Sequence, residues 1–259
     1  MVATMREPID RDQVLVDARR IEELSKAVIL AASPNDDNAA QLGCAGLALI
    51  LDGYSAVMAL LGTTGEYHAP TVVRTMLEAF ADLNALANDK AYAERMRLHA
   101  ACERKKVIKG YVAAYGENRA FEATAQRARS DLYGLEPEIT RLRDQGIEDY
   151  KVWERFQLAG LGGDRVYVYG ELSSFAHADY IAIMLRHIGR EKLILGHPLP
   201  DEWFAKVVFL SSTILLDGLL TLSSFAAYDA SHVGALRDEA IKHYERLPLV
   251  HKLAPKGKQ

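Results

Sequence analysis

The sequence predicts an all-α fold, an antiparallel bundle of several long helices. Few stretches alternate polar and apolar residues in the way that strands do, and only 8 of the 259 residues are proline. Apolar residues instead recur at helical spacing, and the breaks between helical stretches are short, which favours antiparallel neighbours. With 49% apolar and 25% charged residues, the chain has the composition of a globular protein that buries its own core.

The helical pattern continues along nearly the whole chain. The predicted helices span approximately residues 10–32, 37–62, 67–88, 90–116, 118–145, 147–160, 165–190, 201–229 and 231–246. We expect them to form a single domain over residues 1–250. The last residues, 251–259, contain proline, glycine and lysine and few apolar side chains, so they are expected to be a disordered tail.

Four short segments interrupt the pattern and predict where helices begin and end. They are SPNDDN (33–38), GTTGEYHAP (62–70), GLGGD (160–164) and GHPLPDEW (196–203). Each is rich in glycine, proline or short polar residues, which favour turns. In the last two segments, Asp164 and Asp201 are candidate N-caps for the helices that follow.

The segment KAYAERMRLHAACERKKVIKGY (90–111) is strongly basic, with seven Lys/Arg and two Asp/Glu. We expect the charged region near 90–145 to project from the bundle as a helical hairpin. Its basic side is either an ordinary solvated helix face or an electrostatic docking site for RNA or another anion. The net charge of -4 argues against a general nucleic-acid binder, and only Tyr92 and Tyr111 supply aromatic rings within the basic segment.

Two apolar stretches, residues 42–62 and 207–228, are about as long as a membrane span. Each carries a central aspartate, Asp52 or Asp217, and such a charge costs roughly 2.5–3.5 kcal/mol at the centre of a bilayer. We therefore predict two helices of a soluble bundle without stable membrane insertion. The two cysteines lie far apart and the N-terminus is too charged for a signal peptide, so we expect a cytoplasmic protein.

A histidine lies within the predicted helix 165–190. On a helical wheel, His177 shares a side with apolar residues such as Val166 and Tyr167, so we expect it to face the core. A buried imidazole needs hydrogen-bond partners, for which Ser173 and Ser174 are the local candidates. Both a core histidine bonded to a neighbouring helix and a functional histidine fit this pattern.

The segment TVVRTMLEAFADLNAL (71–86) carries an arginine and a glutamate opposite its apolar side. Arg74 and Glu78 are four residues apart, and Ala81 and Ala85 lie beside them. The pair is either solvent-facing or, if the small alanines let another helix approach, partly buried inside the bundle. The sequence pattern does not distinguish these two arrangements.

Asp52 and Asp217 are candidate ligand-binding residues, because each lies among small or hydroxylated residues in a very apolar helix. A buried carboxylate would require a cation, for which Arg74 and His177 are candidates. The alternative is that each aspartate marks the exposed edge of its helix. The chain has no ExxH, HExxH, GxxxxGK[ST] or GxSxG motif, so we expect neither a metal nor a cofactor.

Two motifs resemble those of an uncharacterised bacterial family, domain of unknown function 5677. One is LLGTTGEYHAPTVVRTMLEAFADLNAL (60–86), where an apolar helix and a Gly-containing turn precede Arg-x-x-x-Glu. The other is YGELSSFAHAD (169–179), where Tyr169, Leu172 and Ser173 precede His177. The resemblance spans about residues 40–230. It implies an all-helical fold, groups Arg74, Glu78 and His177 as one set, and implies no established activity.

A more distant analogy is the HEPN class of helical ribonucleases, whose signature is Arg-x(4–6)-His. Three pairs in the chain have this spacing: Arg190 with His197, Arg237 with His243, and Arg246 with His251. Only the second pair lies in an uninterrupted helical pattern. His177 has no arginine at this spacing, although an Arg74–His177 site could form between helices.

These observations lead to two hypotheses. In the first, Arg74 binds phosphate, Glu78 orients Arg74 and His177 acts as acid or base, in an anion site or a metal-independent ribonuclease of a defence or toxin type. The further candidates for ligand binding are Asp52, Asp217, Ser173 and Tyr169. In the second hypothesis, the polar cluster is structural and the chain is a non-catalytic protein-interaction module. We expect RNA or another anion as a partner, and a homodimer fits either hypothesis.

Overall fold

A computed structural model confirms the all-α fold. It describes residues 9–177, 183–184, 187–188, 197–228 and 231–247. The helices of this part are α1 (Arg11–Ala31), α2 (Asn38–Leu60), α3 (Ala69–Asn88), α4 (Tyr92–Tyr115), α5 (Glu122–Asp144), α6 (Val152–Leu158), α7 (Asp164–Ala176), α8 (Asp201–Leu220) and α9 (Ser231–Glu245). Two short antiparallel strands, β1 (Ser33–Pro34) and β2 (Ala226–Ala227), pair Ser33 with Ala227. The predicted tail 251–259 lies outside the described residues.

Helix α3 lies at the centre of the bundle. It packs against α2, α7 and α8, while α1 packs against α2 and α9. Large apolar side chains fill the space between these helices; the fully buried ones include Leu47, Ile50, Tyr54, Met76, Leu77, Leu86 and Phe204. Because α3 has neighbours on several sides, polar side chains that it carries toward α6 and α7 are held inside the bundle or at its edge.

Several helix ends differ from the prediction. Asp37 does cap α2, since its side chain accepts a hydrogen bond from the Ala40 amide at 2.7 Å. The predicted N-caps Asp164 and Asp201 are wrong, because each is the first residue of its helix. Gly163, with φ +65°, precedes α7 in a left-handed conformation that glycine adopts at little cost. The predicted helix 165–190 is interrupted, because α7 ends at Ala176, although residues 183, 184 and 187 are again helical. The predicted helix 201–229 is too long, because α8 ends at Leu220.

Helices α4 and α5 form the predicted hairpin. Its base has a small core of its own, consisting of Leu98, Ala101, Cys102, Ile139 and Leu142. Between residues 103 and 138, only Ala125 is buried. The outer part of the hairpin therefore projects into solvent and depends on α4–α5 packing alone.

Two helices have the length and composition of membrane spans: α2, and α8 together with the turn that follows it, to Ser224. In their most apolar stretches, 33% and 50% of the residues are buried against other helices. Core helices of soluble proteins share these properties, so length and composition are weak evidence that either helix spans a membrane. Asp52 is exposed on α2, opposite the buried side of that helix.

Candidate functional site

Helix α3 carries three charged residues along one side, because Arg74, Glu78 and Asp82 follow each other at intervals of four. This side faces α6 and α7, and Ala81 is fully buried beside it. The small side chain allows the neighbouring helices to approach. Of the two arrangements that the sequence allows for Arg74 and Glu78, the structure has the partly buried one, with 22% and 24% of the side chains exposed.

Arg74 joins α3 to α7. Its Nη2 lies 2.9 Å from Glu78 Oε1 and donates to the Tyr169 hydroxyl at 2.5 Å, while its Nε donates to Ser173 Oγ at 3.1 Å. The Tyr169 hydroxyl in turn donates to Glu78 Oε1 at 2.8 Å. The guanidinium carbon lies 4.9 Å from the centre of the Tyr169 ring, within cation–π range. Arg74, Glu78, Tyr169 and Ser173 therefore meet where α3 packs against α7. The family resemblance groups His177 with Arg74 and Glu78, but its imidazole makes no hydrogen bond or ion pair with either of them among the described residues.

Arg155 continues the network from α6. Its Nη1 lies 3.6 Å from Glu78 Oε2, and its Nε lies 3.2 Å from Asp82 Oδ1. Only 10% of its side chain is exposed. Arg155 thus stands between the two carboxylates of α3 and separates their like charges.

Two tyrosines complete the network around Asp82. The Tyr92 hydroxyl donates to Asp82 Oδ1 at 2.7 Å, and the Tyr150 hydroxyl lies 3.5 Å from the same oxygen. The two rings stack with their centres 5.5 Å apart, and His99 also stacks on Tyr150, with ring centres 4.6 Å apart. His99 Nδ1 is 2.8 Å from Asp149 Oδ1, which links the network to the base of the hairpin.

We call the residues of α3, α6 and α7 and their tyrosine partners the central polar cluster. Its members are Arg74, Glu78, Asp82, Tyr92, Tyr150, Arg155, Tyr169 and Ser173. The cluster contains two arginines and two carboxylates, so its formal charges balance. Each charged group has an opposite charge within 4 Å.

The surroundings raise the pKa of several of these groups. Burial raises the pKa of the Asp82 carboxyl, which the charge of Arg155 only partly offsets. Burial also raises the pKa of the Tyr169 and Tyr92 hydroxyls, and the carboxylates of Glu78 and Asp82 beside them act in the same direction. Both hydroxyls therefore stay protonated at neutral pH and donate to those carboxylates.

His177 does not face the core, so that prediction is wrong. It is the C-cap residue of α7, its side chain is exposed, and within the described residues its imidazole has no hydrogen bond or ion pair. The apolar residues of α7 are distributed around the whole helix, so the helical wheel did not identify which side of α7 is buried. The side that packs inward carries Leu172 and Phe175, whereas 70% of Tyr167, on the predicted inner side, is exposed.

The two aspartates of the apolar helices do not join the cluster either. Asp52 is exposed and has no hydrogen bond or ion pair in the described part of the chain. Asp217 pairs with Arg165 at 3.0 Å, so the expectation of Arg74 or His177 as its cation is wrong. The pattern of α2 and α8 could not show this, because Arg165 comes from α7.

The Arg-x(4–6)-His pairs form no second site where the structure describes them. In α9, Arg237 is exposed whereas His243 is fully buried, because a spacing of six residues places the two on different sides of a helix. His243 Nε2 is 3.1 Å from Ser212 Oγ, which is also 3.1 Å from the Tyr54 hydroxyl. Arg190 and His251 lie outside the described residues.

Asp82, Arg155, Tyr92 and Tyr150 were not among the predicted site residues. One signal was available, because Asp82 continues the Arg74–Glu78 spacing by one more turn. Arg155 and Tyr150 come from segments whose sequence pattern does not indicate a contact with Asp82. Within the described residues, no group of three or more His, Cys, Asp or Glu side chains is arranged to hold a metal ion.

Comparison with known proteins places the chain in a family. The model of a family of unknown function, DUF5677, matches residues 44–192, which is more than half of the chain and includes the whole central polar cluster. No curated protein and no solved structure matches the sequence. The chain therefore belongs to the family of unknown function DUF5677.

Proposed function

We propose that this protein is a non-catalytic interaction module of the cytoplasm, in which the central polar cluster fixes the packing of its helices. One observation carries the proposal: every charged group of the cluster already has an opposite charge beside it. An anionic substrate at Arg74 would have to displace Glu78, Tyr169 or Ser173. Such a balanced, partly buried network is typical of a structural role, since its internal bonds compensate for desolvation.

The shape of the molecule supports the same proposal. The hairpin α4–α5 places a large surface outside the bundle, and nearly all of its outer side chains are exposed. A projecting element that contributes so little to the core is suited to contact a partner. We also propose that the protein does not insert stably into a membrane, because Asp52 and Asp217 place a charge within the apolar stretches of α2 and α8. A homodimer stays a prediction.

The test combines RNA cleavage with thermal unfolding for wild type, Glu78→Gln and His177→Ala. We expect no cleavage by wild type, a lower unfolding temperature for Glu78→Gln, and an unchanged one for His177→Ala. Glu78→Gln removes the charge between two arginines, whereas His177 makes no contact that stabilises the described fold. Cleavage by wild type that His177→Ala abolishes without loss of stability would overturn the proposal.

A second candidate is a metal-independent ribonuclease of a defence or toxin type. One observation favours it: Tyr169, Ser173 and the C-cap residue His177 follow each other at intervals of four along α7, and Arg74 bonds to the first two. In this reaction Arg74 would bind phosphate, Glu78 would orient Arg74, and His177 would be the acid or base. The cleavage experiment with His177→Ala distinguishes it from the interaction module.

A further inference from the structure

We propose that the tip of the α4–α5 hairpin binds single-stranded nucleic acid. This inference rests on the proposed function, since it names the class of partner that the interaction module contacts. We define the hairpin tip as residues 109–129, the end of α4, the turn and the start of α5. Its features are an exposed aromatic cluster and several cations without a carboxylate partner.

The aromatic cluster consists of Tyr111 and Tyr115 at the end of α4 and Phe121 after the turn. The ring centres of Tyr111 and Tyr115 are 5.2 Å apart, and those of Tyr115 and Phe121 are 5.0 Å apart. Although the rings contact each other, 43% of Tyr115 and 41% of Phe121 stay exposed. Neighbouring exposed rings can stack with bases that are not already stacked in a duplex.

The charge of the hairpin tip is positive. Residues 109–129 include four Lys/Arg and two Asp/Glu. Nearer the base, three cations pair with carboxylates: Arg104 with Asp131, Lys105 with Glu136 and Lys106 with Glu103. Toward the tip, four cations have no ion pair in the described part of the chain, and all four are exposed: Lys109, Arg119, Arg127 and Arg129.

This distribution places the candidate anion-docking surface further out than residues 90–111, for which the sequence left such a surface as one of two alternatives. Most inner cations of that segment pair with carboxylates, whereas Arg95 donates to the carbonyl of Glu148. Its Tyr92 is buried in the central polar cluster. Of its two rings, only Tyr111 belongs to the exposed cluster. The free positive charge and the accessible rings coincide only further out, at the tip.

Single-stranded nucleic acid fits this surface better than other polyanions do. Phosphates complement the unpaired cations, and unstacked bases complement the rings. A double helix would present phosphates but would hide the faces of its bases. An anionic membrane would bind a helix with a broad apolar face, whereas the large apolar side chains exposed at the tip are Tyr115 and Phe121.

The test measures binding of fluorescently labelled U15 RNA and dT15 DNA to the full chain by fluorescence anisotropy. We expect Tyr115→Ala with Phe121→Ala to weaken binding at least 5-fold, since each stacked base contributes substantially. Tyr133→Ala is the matched aromatic control, because Tyr133 is 78% exposed on α5 but lies outside the cluster. Thermal unfolding of each variant verifies that it is folded.

The cations predict a salt dependence. If the tip neutralises three or four phosphates, affinity should fall by about 20- to 50-fold between 50 and 200 mM salt. Arg119→Gln with Arg127→Gln should make this dependence less steep. Arg20→Gln is the control, because this exposed arginine of α1 pairs with Glu23, away from the hairpin.

Absence of oligonucleotide binding at 50 mM salt would overturn the inference, as would equal losses in the tip variants and their controls. Equal or tighter binding to duplex DNA, or to vesicles that contain anionic lipid, would also overturn it. None of these results affects the non-catalytic proposal, which depends on cleavage and on the stability of the cluster variants. Conversely, cleavage that depends on His177 would overturn that proposal and leave binding at the tip intact.

Discussion

Arg155 is the residue on which the central polar cluster depends most. It lies between Glu78 and Asp82, and nine-tenths of its side chain is buried. Without its charge, the carboxylate of Asp82 would keep only hydroxyl partners, in a place where burial already raises its pKa. The two carboxylates of α3 would also face each other without a cation between them.

We therefore predict that Arg155→Met lowers the free energy of unfolding by about 2–3 kcal/mol, because removing one partner leaves a poorly solvated charge. Methionine keeps the length and most of the apolar contacts. Urea unfolding at pH 7.5 measures the effect. Arg20→Met, in an exposed pair with Glu23, should change stability by less than about 0.5 kcal/mol. Equal effects of the two substitutions would contradict the role assigned to Arg155.

His243 gives the fold a dependence on pH. Its side chain is fully buried, and burial lowers its pKa to about 4 from the ordinary 6.5. Asp17 nearby opposes this shift and Arg246, which pairs with Asp17 at 3.0 Å, favours it. Within the described residues, Nδ1 has no hydrogen-bond partner, so the folded protein has no acceptor for an added proton.

Because this pKa is lowered on folding, the unfolded chain binds the proton first. Stability from neutral His243 is complete above pH 6.5 and is lost as the pH falls from 6.5 toward 4, at about 1.4 kcal/mol per pH unit. We expect a loss of about 2 kcal/mol between pH 7.5 and 5, measured by urea unfolding. His243→Leu should remove this part of the loss. Parallel curves for wild type and variant would show that His243 is not its source.

The sequence predicted the contacts of a side chain correctly only where its partner is close in the chain. Arg74 and Glu78 pair as their spacing indicates, because four residues complete one helical turn. The partners of Asp217 and Asp82 are Arg165 and Arg155, which lie far away in sequence. No local pattern encodes such contacts, since they depend on how the helices pack.

At the scale of elements, the close approach of α2 to the segment around β2 depends on Gly43. A Cβ atom there would lie 2.4 Å from the ring of Phe225, which is itself 1% exposed and cannot move aside freely. The absence of a side chain at this position allows the contact. Helix α2 can thus pack closely against the turn that ends the bundle's apolar helix α8.

Gly43→Ala should destabilise the protein by about 1–2 kcal/mol, because the overlap with Phe225 costs more than the gain in helix propensity. Gly110→Ala is the matched control in α4, where a Cβ would meet nothing within 4 Å. That substitution should raise stability by about 0.5–1 kcal/mol. Thermal unfolding compares the two. A stabilising Gly43→Ala would show that Phe225 accommodates the methyl group.

The prediction of elements succeeded where amphipathic patterns were long. It failed at α7 and at the end of α8, where the helix predicted to residue 229 ends at Leu220. Helices α1 to α5 lie close to their predicted limits, because each has a clear apolar stripe or a polar break at its end. In α7 the apolar residues lie on all sides, so the contacts of Leu172 and Phe175 decide which side is buried. The packing of these two side chains determines the orientation of α7, in which His177 is exposed.

For the molecule as a whole, composition and periodicity were sufficient to predict the all-α bundle and the charged hairpin. They could not show that ion pairs join α4 to α5 nearer the base of the hairpin. Nor could they show that cations at the hairpin tip have no ion pair among the described residues. That difference depends on which α5 carboxylate faces which α4 cation. It also determines which part of the molecule is free to meet a partner.

We expect the bundle to fold without the outer hairpin, because only Ala125 is buried between residues 103 and 138. Replacing residues 107–133 by a five-residue Gly/Ser linker should shift the thermal midpoint by less than about 4 °C. Such a linker spans the roughly 8–10 Å between packed helices. The shortened protein should also lose binding to U15 RNA.

A deeper deletion, over residues 98–142, gives the contrast. It removes Leu98 and Leu142, which are fully buried at the base of the hairpin, and should lower the midpoint much further. Circular dichroism and thermal unfolding of the two deletions provide the comparison. Loss of folding in the shorter deletion would mean that the outer hairpin stabilises the bundle, so that its exposed surface is not simply available to a partner.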